Sequence, residues 1–182
     1  MRRRELVAAI GAGSVGALAG CVGAGPPASE GQEEAAGDDT PPGEEWPSGA
    51  YADYETTVVE VRTSDGDPLG RVTAAIADTG EKRYTGLSDA GSLPEDAGML
   101  FVFPAEREGL TFVMREMEFG IDIVYADPDG TVVEIHNAPK PGPNEDGNDQ
   151  AYPGSGQYVL ELPYKWTDRN GVAVGDALAF EL

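Results

Sequence analysis

Residues 51–182 predict a mainly β domain, a compact sandwich or barrel with one or two short helices. Three observations predict it. Short runs rich in Val, Ile, Thr and aromatic residues recur through this stretch, the composition of strands. Turn signals built from Gly, Pro, Asp and Asn separate the runs. Only two segments carry helix start signals, and neither has room for more than about two turns. Many short strands with few helices make a sandwich or barrel core, and the sequence contains no internal repeat.

The elements follow in order. Thr57–Arg62 is a strand, and Asp65-Gly66-Asp67 turns the chain into a second, Arg71–Ala77. Asp78 followed by Glu81 has the spacing of a capping box and predicts a short helix over Gly80–Leu87. Met99–Phe103 predicts a buried strand that stops at Pro104, since Pro cannot donate to a ladder. Leu110–Met114 predicts another. Ile121–Tyr125 and Thr131–Ile135 flank Asp127-Pro128-Asp129-Gly130, where Pro presets φ and Gly accepts positive φ, so the pair predicts a hairpin. Residues 138–156 read as a long Pro/Gly/Asn/Asp loop, a length that usually marks function or mobility. Tyr158–Leu162 is a strand. Pro163 then opens a helix over Tyr164–Asn170 that Gly171 ends, and Ala177–Leu182 is the last strand.

The acidity narrows the setting. The 182 residues hold 33 Asp and Glu against 12 Lys and Arg, a formal net charge of −21, with only three Lys among the cations. The acids are dispersed, not gathered into a tail. Such a surface repels itself, and molar salt, with a Debye length of about 3 Å, removes most of that cost; the composition reads as halophilic. It excludes a basic groove for nucleic acid. The single Cys and single His exclude an internal disulfide, a Cys-cluster metal site and a multi-His zinc site. No apolar run reaches the roughly 18 residues of a spanning helix. No cofactor or metal is implied.

The first 20 residues read as a signal peptide: Arg2-Arg3-Arg4, an apolar stretch from Leu6 to Ala19, then small residues, the anatomy of an export signal. Arg3-Arg4-Glu5-Leu6-Val7 resembles a twin-arginine signal. Leu18-Ala19-Gly20-Cys21 resembles a lipobox, which implies cleavage before Cys21 and lipidation of its sulfur. The expected location is the outer face of the cell membrane, with the membrane as partner through that lipid. Residues 21–50 are rich in Gly, Pro and Glu, with too little apolar surface to offset chain entropy. They read as a disordered tether, with Trp46 as an exception able to dock on the domain.

Several segments line up with one family. Arg83-Tyr84-Thr85-Gly86-Leu87-Ser88 is similar to an R-x-x-G-L-M element. Gly98-Met99-Leu100-Phe101-Val102-Phe103 is similar to G-M-L-F-x-F. Thr111–Met117 followed by Ile121–Tyr125 resembles F-W-M-K-N-T followed by L-D-I-I-F. Tyr158–Leu162 and Gly171–Asp176 resemble V-L-E-L and G-I-x-x-G-D. Together they resemble the domain-of-unknown-function 192 family over roughly residues 70–182. The family's Trp is Val113 here, its Lys is Arg115, and its Asn-Thr is Glu116-Met117. The resemblance implies a compact mainly β domain and no particular reaction.

The candidate site residues are Arg83, Arg115, Asp122 and Glu161. Two readings compete: a polar pocket whose Arg fork holds a carboxylate, phosphate or sugar, or structural ion pairs locking Asp122 or Glu161 inside the fold. Asp122 with Glu161 could also form a glycosidase-like acid/base pair, which needs both carboxyls on one cleft. His136 reads as a surface histidine at a strand end. Asn144–Asp149 is oxygen-rich but lacks the ligand spacing of a calcium loop. Tyr152, Tyr158, Tyr164 and Trp166 are candidates for stacking on sugar rings, or core. Met99, Met114 and Met117 read as core fillers. The leading function is a non-catalytic ligand-binding or accessory module at the cell surface, its small-molecule or envelope ligand unidentified. The alternatives are a carboxylate-dependent hydrolase of envelope glycan or peptide, and a structural envelope protein that binds other proteins.

Overall fold

The computed structural model describes residues 46–182. The signal segment, Cys21 and the tether up to residue 45 lie outside the described residues. Strands β1 (Thr56–Arg62) and β2 (Pro68–Ala77) lead into helix α1 (Gly80–Thr85). Strands β3 (Ala97–Val113), β4 (Ile121–Ala126), β5 (Val132–Ala138) and β6 (Ala151–Pro163) follow, then helix α2 (Trp166–Asn170) and strand β7 (Ala177–Ala179). The architecture is mainly β, as the sequence predicts.

The strands form one sheet in the order β5-β4-β6-β3-β2-β1-β7. Only β2 and β3 run parallel, and α1 lies on the connection between them, since a parallel pair cannot be joined by a tight turn. The sheet curls until its two edges touch at one end. Thr131 bridges Ala177, and Val132 N–H donates to Asp176 O while Leu178 N–H donates to Gly130 O. The result is a half-barrel pinned at a short seam.

Successive strand residues point to opposite faces, so the curl has an inside and an outside. The inner core draws on all seven strands, including Val59, Val72, Leu100, Val124, Leu160 and Leu178. Trp166 of α2 belongs to this cluster and is 4% exposed. It lies against Gly70, where a Cβ would come within 2.6 Å of the indole; the missing side chain makes room for the ring. The outer face carries a second core, with Met99, Phe101, Ile123, Tyr125 and Val159. It is covered by the segment after α1 and by the chain before β1. Trp46, on the tether side of the expected boundary, donates its indole N–H to Gly98 O at 2.9 Å and packs at 5.2 Å against the ring of Tyr51. Tyr51 is buried, and burial pushes its hydroxyl up to about 12.

Four local expectations are corrected. Pro104 does not end a strand: β3 runs through it, and the segments read as Met99–Phe103 and Leu110–Met114 are one bent strand ending at Val113. The ladder with β6 is irregular between Val102 and Arg107, so Pro104 sits where no donor is needed. The long loop is shorter than 138–156, because β6 begins at Ala151 and includes Gly154 and Gly156. The cap of α1 is Thr79, whose hydroxyl accepts Lys82 N–H at 3.2 Å, while Asp78 pairs with Lys82 Nζ at 3.0 Å. Pro163 closes β6, and α2 starts only after Lys165, which takes the left-handed conformation at φ 64°.

Candidate functional site

The outer face holds a cavity of about 360 Å³ between α1, the turn after it, and the bend of β3. Its walls are mostly apolar: Leu87, Phe101, Phe103, Leu110, Phe112 and Met117 contribute to the lining. Phe101 and Phe112 meet edge to face at 4.8 Å, an arrangement favoured by the ring quadrupoles. Gly86 ends α1 at φ 52° and brings the backbone beside Phe101, whose ring atom would lie 3.5 Å from an added Cβ.

Three of the four candidate residues reach this cavity. Arg83, on α1, donates from Nη1 to Asp78 O at 2.5 Å and to Val102 O at 2.8 Å. Its guanidinium carbon lies 5.0 Å from the centre of the Phe103 ring. Arg115 follows β3 and donates from Nη2 to Tyr84 O at 2.6 Å and to Ser88 Oγ at 3.3 Å. Its guanidinium stacks 4.1 Å from the Tyr84 ring centre. Both cations are therefore fixed by backbone carbonyls and aromatic faces, and neither is neutralised by Asp122 or Glu161.

Glu161 is the third. It is 5% exposed and lines the same cavity. Its Oε2 has no hydrogen-bond partner among the described residues. Register explains its surroundings: Met99 and Ile123 flank it across the sheet, so its neighbours on the outer face are apolar. Burial pushes its carboxyl up to about 8 from an ordinary 4.5, because removing the charged form from water is costly. At neutral pH it is mostly a neutral acid, able both to donate and to accept.

Asp122 belongs elsewhere. It pairs with Leu162, whereas Ile123 pairs with Glu161. One residue of offset puts the two carboxyls on opposite faces of the sheet. Asp122 is fully buried, and its oxygens accept from Asn137 Nδ2 at 2.7 Å, Lys165 N–H at 2.9 Å, Thr167 N–H at 2.8 Å and Thr167 Oγ at 2.6 Å. It caps α2 from a neighbouring strand. The acid/base pair of Asp122 with Glu161 therefore does not exist, and no ion pair joins either arginine to either carboxylate among the described residues.

The remaining candidates scatter. His136 lies inside β5, not at its end, with Nε2 2.8 Å from Pro153 O and 3.3 Å from the Glu134 carboxylate. Asp146 caps a 3-10 turn at Gly147–Asp149. The four C-terminal aromatics do not converge: Tyr158 packs on Phe180, Trp166 fills the inner core, Tyr152 borders the outer one, and Tyr164 is exposed. Met99 and Met114 are buried core, whereas Met117 also lines the cavity. Tyr84, Ser88 and the phenylalanines of β3 are cavity residues that the sequence reading left out. Ser88 and Tyr84 lie within the motif of Arg83, which was the available signal.

Residues 60–180 match the model of the DUF192 family, described as uncharacterized ACR. The match begins earlier than the motifs, within β1. No curated protein matches. Among solved structures, the chain is similar to a Sinorhizobium meliloti protein described as a candidate transcription regulator, with 28% identity and a TM-score of 0.62 over 70% of this chain and 95% of that one. It is also similar to a Novosphingobium aromaticivorans protein of unknown function, with 25% identity and a TM-score of 0.58 over 70% of this chain and 87% of that one. With its motifs in order along the same curled sheet, the chain belongs to the DUF192 family.

Proposed function

We propose that this protein is a non-catalytic binding module that holds a small molecule in the cleft between α1 and β3, and that it does so at the outer face of the cell membrane, tethered through a lipid on Cys21. One observation carries the binding reading: Glu161 is buried at an apolar cleft with an oxygen that nothing among the described residues satisfies. An unsatisfied buried polar group costs about 1–3 kcal/mol, and replacing it with an apolar residue would remove that cost. A ligand that bonds to it recovers the loss. The cleft also has the size and apolar lining of a small-molecule site.

The hydrolase alternative loses its second carboxylate, since Asp122 faces away. The protein-interaction alternative wants one broad exposed apolar patch; two of the exposed large apolar side chains, Tyr84 and Val113, instead line the cleft itself, which favours a ligand seated there.

The binding test is a saturation-transfer NMR screen of small aromatic and aliphatic fragments at molar KCl, on the wild type and on Glu161→Leu. Fragments should bind the wild type, and those that carry a hydroxyl or amide should lose signal in the variant. A screen with no hit below millimolar Kd refutes the binding reading. The anchoring test is fractionation of cells expressing the full chain. The protein should sediment with membranes and Cys21→Ala should release it; equal partitioning of the two rules the lipid anchor out.

A further inference from the structure

Resting on the binding reading, we propose that the ligand is a small monocarboxylate with a ring-sized apolar body and a hydroxyl group: its carboxylate is held by Arg83 and Arg115, its body by the phenylalanine wall, and its hydroxyl by Glu161. The arginines supply the head-group site. Among the described residues Arg83 donates only from Nη1, so its Nε and Nη2 donate to nothing there. Arg115 uses Nη2; its Nη1 makes no hydrogen bond among these residues, and its Nε lies 3.8 Å from the carboxylate of Glu116. Glu116 is itself 75% exposed at its side chain, so this contact is wet and weak. Each guanidinium is thus fixed along one edge and has donors left along another. Fixed guanidinium donors suit planar oxyanions, which they bind with charge-assisted bonds.

The body and the inner contact follow from the walls. Phe101, Phe103 and Phe112 offer ring faces and edges, and about 360 Å³ is at the small end of ligand cavities, enough for one substituted ring. A neutral carboxyl at such a wall is matched by a hydroxyl, which can both give and take a hydrogen bond.

The test is calorimetry at molar KCl with four probes: 4-hydroxyphenylacetate, phenylacetate, 4-methylphenol and phenyl phosphate. The hydroxy acid should bind tightest. Loss of the carboxylate in 4-methylphenol should weaken binding about tenfold or more, as expected for charge-assisted bonds. Loss of the hydroxyl in phenylacetate should weaken it several-fold. Arg83→Gln and Arg115→Gln should weaken both carboxylates about tenfold and leave 4-methylphenol unchanged. Glu161→Gln should keep the preference for the hydroxyl, and Glu161→Leu should erase it; thermal melts confirm that each variant is folded. If 4-methylphenol binds as tightly as the acids, the ligand class is wrong while the cleft remains a binding site. If phenyl phosphate binds tighter than phenylacetate, the carboxylate assignment is overturned. If the arginine variants weaken every probe alike, the arginines are scaffold and the proposal fails. If no probe binds, the monocarboxylate proposal falls; the broader binding reading then stands or falls by its own fragment screen.

Discussion

Asp122 and Glu161 are both buried carboxyls, on adjacent strands and one residue out of register, yet they sit in opposite circumstances. The inner-face carboxyl accepts from four donors and holds a helix in place. The outer-face carboxyl leaves an oxygen without a donor among the described residues and borders a cavity. Both are deep in the protein, so burial does not distinguish them; satisfaction does. A saturated carboxylate is part of the scaffold, whereas an unsaturated one beside empty space marks where the fold gives up stability.

The largest expected effect breaks the inner side. Asp122→Ala strands the Thr167 N–H and hydroxyl and the Lys165 N–H without an acceptor and leaves Asn137 Nδ2 with Thr167 Oγ alone, and should cost about 3–5 kcal/mol. Chemical denaturation at molar KCl measures it. A loss below about 1 kcal/mol would mean that the cap is dispensable and the contrast false.

The outer carboxyl should give itself away through pH. Its folded value of about 8 lies above its ordinary 4.5, so the native state holds a proton that the unfolded chain releases between these values. The contribution of Glu161 to stability is then fully present below about pH 4.5 and is lost as pH rises to about 8, on the order of 5 kcal/mol in total. Glu161→Gln should flatten that window in Tm measured from pH 5 to 8. A wild type and variant with parallel profiles would show that Glu161 is better solvated than its position implies.

Smaller substitutions sharpen the comparison. Gly70→Ala drives a methyl into the Trp166 indole and should cost about 1–3 kcal/mol through overpacking, read as a lower Tm. Beside Arg115, Glu116 sits at φ 58°, where a non-glycine residue is strained. Glu116→Gly should therefore gain up to about 1 kcal/mol, read as a higher Tm; a loss of stability would show that the Glu116 side chain contributes a contact that outweighs its strain.

The alternation that separates the two carboxyls was present in the sequence but could not be used. Ile121–Tyr125 and Tyr158–Leu162 are buried on both faces, so their apolar runs carry no mark of inside or outside, and only the cross-strand register of Ile123 with Glu161 decides it. Arg83, Arg115 and Glu161 were legible because each stands as a charge in a motif or an apolar run. Phe101, Phe103 and Phe112 were not legible as a wall: they read as ordinary strand residues, and it is the bend of β3 and the seat of α1 that turn them towards a cavity. Pro104 misled for a related reason, since a proline argues against a ladder and cannot announce that the ladder is already broken beside it. The family's Asn, which is Glu116 here, occupies a left-handed turn position. Asn tolerates that conformation, so its place in the motif reads as backbone geometry and not as a ligand contact.

The seam of the half-barrel has a kinetic consequence. Strand β7 is three residues long, and it clasps Gly130–Val132 on one side and Glu60–Arg62 on the other. The ring closes only when partners more than a hundred positions apart in the chain meet, contacts whose formation slows folding. The same clasp is the shortest stretch of ladder to undo. Its amides at Val132 and Leu178 should exchange with solvent hydrogen sooner than those of Leu100 or Leu160, which are held within longer strands, making this joint the route by which water first reaches the inner core.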